Sequence, residues 1–191
     1  MAKGFSEHEK AAIQKGLLDA CKECWNKYGY TKTSVRELSQ MAGISTGAFY
    51  QFYASKEILF FETAFASETH LFGLFEKHLI KLPNKQGIVN GILAVIQEMK
   101  NYYWFMSLKE EWGILVRKLP PEYIEKEKGR DILKYAALST KYNIVPKREL
   151  AEVADIINIL IMSALLKNNL PGDTDTAMAF IINATISELF E

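Results

Sequence analysis

Nowhere in its 191 residues does the chain alternate apolar and polar side chains at the two-residue period of a half-buried strand. Apolar residues instead recur every three to four positions, as they do on one face of a helix. All five prolines lie beyond residue 80, at places where that periodicity breaks. Proline removes a helical hydrogen bond and clashes with the preceding turn, so these positions read as boundaries. The expected class is therefore all-α, with about nine helices.

The boundaries follow from local chemistry. Ser6 with Glu9 reads as a capping box, and Ile13, Leu17, Ala20, Cys21, Cys24 and Tyr28 then follow at helical spacing, ending at Gly29. Short helices are expected over 34–41 and 45–52. Ser55 then caps a long helix reaching about residue 79. Past Pro83, helices are expected near 85–106, 108–118, 121–142, 147–168 and 173–190. Two domains result: a three-helix unit over 6–54, with a helix-turn-helix at about 34–52, and a larger helical domain over 55–191.

Two cysteines are too few for a disulfide framework, which suits a reducing cytoplasm. The charged N-terminus has no signal-like apolar core, and the most apolar stretch, 153–166, is too short to span a bilayer. The chain reads as soluble, cytoplasmic and without membrane contact. Formal net charge is zero. Residues 1–60 carry 8 basic against 6 acidic side chains, and the remainder 15 against 17. That balance argues against a diffuse polybasic mode of nucleic-acid binding and leaves room for a few placed contacts.

The informative segment runs from Thr33 to Tyr50. Val35, Leu38 and Ala42 form an apolar face, Gly43 supplies a turn requiring positive φ, Ile44 fills the corner, and Ser45 caps the next helix. This pattern is a helix-turn-helix whose second helix can enter a major groove. Thr46, Gly47 and Ala48 are small enough to let it approach base edges. Tyr50 and Gln51 lie within reach of phosphates or bases, and Arg36 lies on the first of the two helices. Ser34 and Lys56 stand at helix N-termini, which favour phosphate. Ser34, Arg36, Ser45, Thr46, Gly47, Tyr50, Gln51 and Lys56 are thus the candidate DNA-contacting residues.

The ordered run Cys24-Trp25-Asn26-Lys27-Tyr28-Gly29-Tyr30, Thr33-Ser34-Val35-Arg36-Glu37-Leu38, Ala42 through Tyr50 and Ser55-Lys56-Glu57-Ile58-Leu59 resembles the TetR family of bacterial transcriptional regulators. The resemblance implies a three-helix DNA-binding domain, a helical domain that binds a small molecule, and dimerisation through the last two helices. Repression of a palindromic operator, relieved by effector, is the function it implies. Gln51, Tyr53 and Ala54 depart from the family's common residues.

Those last two helices are apolar on more than one side, which independently points to a four-helix interface between two copies. Ile156, Leu160, Ile161, Phe180, Ile181 and Ile186 are its expected residues. A central helix pair fully buried within a monomer is the alternative. The aromatic run Tyr102, Tyr103, Trp104 and Met106, with Trp112, is a candidate lining for an apolar or aromatic effector, although core packing accounts for it equally well. A helix-turn-helix protein that binds DNA constitutively is the second reading of function. No cofactor, metal or enzymatic activity is expected. Cys21 and Cys24 sit within one helix without a second pair, His70 and His78 are eight apart, and no nucleophile or phosphate-loop motif occurs.

Overall fold

A computed structural model of the protein describes residues 5–100, 111–127, 129–166 and 173–191. The described residues are helical, save for turns and one isolated antiparallel bridge, Pro146 with Phe190. The helices are α1 (Glu7–Lys32), α2 (Val35–Met41), α3 (Thr46–Phe49), α4 (Lys56–Lys81), α5 (Lys85–Met99), α6 (Pro121–Glu127), α7 (Arg130–Tyr142), α8 (Leu150–Leu166) and α9 (Thr174–Leu189). A further helical run covers 111–116. None of the described helices is long and apolar enough to cross a membrane.

Capping chemistry sets the starts. Ser6 and Glu9 form the expected box, with the Ser6 amide donating to the Glu9 carboxylate at 2.8 Å. Ser34, Ser45, Asn84 and Asp173 each accept a backbone N–H from the first turn of α2, α3, α5 and α9. Each bond satisfies an amide that has no partner within the helix. Where a single helix was expected over 121–142, the structure has two. Gly129 stands between α6 and α7 at φ 73°, a conformation that an α-helix cannot carry through.

By packing, the described residues fall into two compact units: those within 1–68 and 102–121, and those within 69–101 and 122–191. This differs from a linear division at 54/55. The residues around 111–119 supply Leu115 and Leu119 to the buried set, and Trp112 stacks on Phe61 with centroids 6.0 Å apart. Contacts between residues so distant in sequence leave no local pattern to read.

The core of the first unit holds Leu17, Trp25, Tyr30, Leu38, Phe49, Leu59 and Phe60, all essentially enclosed. Cys21 and Cys24 are free thiols buried in it. Burial pushes both up from their ordinary acidity, Cys24 to about 11, so they remain protonated packing residues at neutral pH. The second unit packs Leu79, Ile88, Ile92, Val153, Ile157, Ile182, Ile186 and Phe190 into one cluster.

That cluster corrects the expected interface set. Ile186 is 0% and Leu160 7% exposed within the single chain, so both pack inside it rather than on the surface a partner would meet. Ile156 and Ile161 are half-buried against the cluster. Phe180, at 73% exposure, and Ile181 remain on the surface, as do Ile159, at 64%, Met162 and Leu166. The two-sided apolarity of α8 and α9 is real. Its outer side runs through 159, 162 and 166 on one helix and 180 and 181 on the other.

Candidate DNA-binding surface

The helix-turn-helix is built on two enclosed side chains, Leu38 of α2 and Phe49 of α3. Between them the chain must reverse within a few residues. Gly43, at φ 71°, makes this possible, donating its N–H to the Gln40 carbonyl (3.2 Å), while Ile44 donates to the Ser39 carbonyl (2.9 Å). This pair of bonds closes the last turn of α2 and fixes the angle at which α3 departs. Ile44, half-buried, fills the corner as its spacing predicts.

With Leu38 and Phe49 turned inward, the opposite edge faces solvent. Ser34, Arg36, Ser45, Thr46, Gly47, Tyr50 and Gln51 are all exposed, Tyr50 at 57%. The oxygens of Ser34 and Ser45 accept from Glu37 N–H (3.2 Å) and Ala48 N–H (3.1 Å). Each hydroxyl proton remains available to donate. The Tyr50 ring meets the buried Phe49 ring edge-on at 5.4 Å, which anchors a side chain that otherwise projects outward. After Phe49 the helix tightens, with Gln51 and Phe52 donating to carbonyls three residues back. Tyr53 is buried with its ring 6.0 Å from that of Phe49, which gives this departure from the family pattern a packing role of its own.

Lys56 is placed differently from the other candidates. Its ammonium donates to the carbonyls of Thr33 (2.8 Å) and Tyr30 (3.1 Å) and lies 4.5 Å from the centroid of the Tyr30 ring. Burial holds its pKa below the ordinary lysine value. Two of its three donors are thus spent inside the fold, on the segment leading into α2. Beside it the Tyr30 hydroxyl donates to Glu57 at 2.6 Å. Burial works against the Glu57 charge, but the bonds it accepts from Tyr30, its own backbone and Ser55 keep its pKa below the usual carboxylate value. Glu111 completes the arrangement by accepting the N–H groups of Tyr30 (2.8 Å) and Thr31 (3.2 Å). Sequence reasoning found Lys56 for a different reason and missed Tyr30, Glu57 and Glu111. Nothing local to residue 111 signals a partner some 80 positions away.

Of the candidate effector-lining residues, Tyr102, Tyr103, Trp104 and Met106 lie outside the described residues. Trp112 is half-buried in its stack with Phe61. In the second unit an apolar cavity of about 30 Å³ lies among Phe75, Leu79, Tyr135, Leu138, Val153 and Phe190. It has room for one or two non-hydrogen atoms, far less than the 300 Å³ or more typical of ligand pockets. Among the described residues, no three His, Cys, Asp or Glu side chains are grouped as metal ligands.

Comparison with known proteins agrees with this geometry. Residues 17–63 match the family model described as bacterial regulatory proteins of the tetR family. The HTH-type transcriptional repressor Rv1474c of Mycobacterium tuberculosis is 41% identical over 114 residues, 60% of this chain and 54% of that protein. The chain therefore matches only about half the length of this curated relative. The candidate transcriptional regulator SCO7518 of Streptomyces coelicolor A3(2) shares the fold with a TM-score of 0.67, covering 92% of this chain and 96% of that one at 16% identity. FadR of Thermus thermophilus, a TetR-family transcriptional repressor solved with lauroyl-CoA, aligns with a TM-score of 0.59, covering 92% and 93% at 15% identity. The helix-turn-helix with its ordered flanking residues, the matched family model and the helical fold of the described residues agree: residues 17–63 are similar to the bacterial regulatory proteins of the tetR family, and the fold is one that solved transcriptional regulators share.

Proposed function

We propose that the protein is a transcriptional regulator that binds operator DNA as a homodimer and represses until a small molecule releases it. The observation that carries the DNA-binding part is the solvent-facing edge formed by Ser45, Thr46, Gly47 and Tyr50, set on the buried Phe49. A helix start bearing only small side chains can seat deep in a major groove, where Thr46 and the Gly47 backbone meet base edges. Tyr50, Gln51, Arg36 and the Ser34 hydroxyl then reach phosphates on either side. Lys56 acts from behind, holding the entry to α2 through the Tyr30 and Thr33 carbonyls.

Two copies join through the outer side of α8 and α9, where Ile159, Met162, Leu166, Phe180 and Ile181 are exposed together. A two-fold axis at such an interface makes the operator a palindrome with half-sites about one helical turn apart, or a multiple of that. The effector reading draws on the family and on the acyl-CoA held by the Thermus repressor. The residues proposed to receive the ligand, Tyr102, Tyr103, Trp104 and Met106, suit an apolar or aromatic molecule. DNA-binding residues over 34–56 and an effector and dimerisation region beyond them remain the proposed division of labour.

The test is selection of bound duplexes from a random-sequence pool, first with the wild-type chain and then with Tyr50→Ala. Enrichment of one palindromic motif by the wild type, and weaker enrichment of the same motif by the variant, are expected. Enrichment of no motif would overturn the proposal. A regulator that binds constitutively would enrich the motif yet ignore every apolar or aromatic compound added to the complex.

A further inference from the structure

We propose that Glu111 is a positioning residue for DNA recognition, its carboxylate holding the break at the end of α1 in the conformation that aims α2 and α3. This rests on the DNA-binding reading above. Helical geometry in α1 fails at Gly29, whose φ of 79° and ψ of 167° turn the chain out of the helix. Directly after the break, the amides of Tyr30 and Thr31 point at one carboxylate, Tyr30 at Oε2 (2.8 Å) and Thr31 at Oε1 (3.2 Å). Two amides on two oxygens of one anion fix both the position and the rotation of the peptide segment, which a single bond would leave free to swivel.

The approach is close enough to depend on the glycine. A Cβ on residue 29 would stand 2.7 Å from Oε1 and 3.2 Å from the carboxyl carbon of Glu111. Gly29 therefore serves twice, in adopting positive φ and in leaving the space the carboxylate fills. From the clamp to the helix-turn-helix is a short step. The Thr33 hydroxyl returns to the Gly29 carbonyl at 2.8 Å, and Ser34, the next residue, caps α2. The direction of α2 is thus set by a segment beginning at Gly29, whose amides are held by a residue from a separate stretch of chain. Glu111 touches none of the exposed residues Ser45, Thr46, Gly47 or Tyr50, so its influence on DNA passes through backbone geometry alone.

The experiment uses the full chain and three proteins: wild type, Glu111→Ala and Glu111→Gln. Amide hydrogen exchange is read at Tyr30 and Thr31. Affinity is read for the duplex selected by the wild type and for a scrambled duplex of equal length, over a range of salt. In Glu111→Ala both amides should exchange faster. Its affinity for the selected duplex should fall about tenfold, the equivalent of one net hydrogen bond lost from the aligned state. Binding to scrambled duplex and the salt dependence should stay at wild-type values, since no phosphate contact is removed. Glu111→Gln keeps one accepting oxygen and should fall between the two in both readouts; it carries the test if the alanine variant does not fold. Faster exchange with undiminished preference for the selected duplex would overturn the proposal, as would unchanged exchange or an equal loss on both duplexes. If the wild type selects no duplex, the DNA-binding reading fails and the positioning role fails with it. The exchange rates alone would then still decide whether the carboxylate holds the break.

Discussion

Replacing Lys56 with methionine separates two roles that the same residue could play. In the structure the ammonium donates to two backbone carbonyls and lies over the Tyr30 ring. Bonds involving a charged group contribute roughly 1.5–3 kcal/mol each, and a cation over a buried ring about 0.5–2 kcal/mol. Burial of the ammonium, which lowers its pKa, offsets part of this, and water can reach a half-buried lysine's partners once it is gone. Methionine retains the packing of the aliphatic stem. A net loss of about 2–3 kcal/mol is reasonable, and for a chain of this length it lowers Tm by roughly 5–10 °C. Thermal unfolding and a salt titration of DNA binding then decide between the roles. A structural lysine gives a large fall in Tm with the slope of log K against log salt unchanged. A lysine resting on a phosphate gives a Tm close to wild type and a slope shallower by about 0.9. The second pattern would refute the placement of Lys56 behind the helix-turn-helix.

Other consequences are as concrete. Phe180→Glu puts a charge on a side chain that is 73% exposed in the single chain, so it should split the dimer while leaving the monomer folded. Sedimentation of both proteins checks this, and a wild type that sediments at 21.8 kDa would sink the interface. Ile186→Ala should do the reverse, costing about 2–5 kcal/mol of stability through a core cavity, with dimerisation affected only through folding. In the second unit, Lys141 at 2.7 Å and the Tyr142 hydroxyl at 2.9 Å hold the Glu76 carboxyl below its ordinary value of 4.5. That contact should stabilise fully above pH 4.5 and fade as pH falls through the lower folded value. The Tm difference between wild type and Glu76→Gln should therefore shrink on acidification; a constant difference would contradict the assignment.

The sequence disclosed what is local. The capping box at Ser6, the break at Gly29, the positive φ of Gly43 and the serine caps of α2 and α3 all depend on residues within four positions of one another. Each was legible in its own stretch. The exposure of Ser34, Ser45, Thr46, Gly47 and Tyr50 follows from equally local spacing, since the apolar positions Val35, Leu38 and Ile44 turn inward around them. What escaped is non-local. Two-sided apolarity showed that α8 and α9 carry apolar side chains beyond one packing face, but it could not say which side meets the chain's own core. Ile186 and Leu160 fell on that side. The Glu111 clamp and the Lys56 bonds involve backbone groups of residues 29–33, which look identical in every sequence. The division at Gly129 was hidden by a helical pattern that continues on both sides of it.

The most direct test of the central claim is a titration of the wild-type selected duplex against wild type and Tyr50→Ala, at two salt concentrations. Tight, salt-sensitive binding by the wild type is expected, with the exposed tyrosine's loss weakening it by about 1–3 kcal/mol while Tm stays unchanged. Equal binding by both proteins, at a strength no greater than for scrambled duplex, would mean that the edge around Tyr50 does not read DNA.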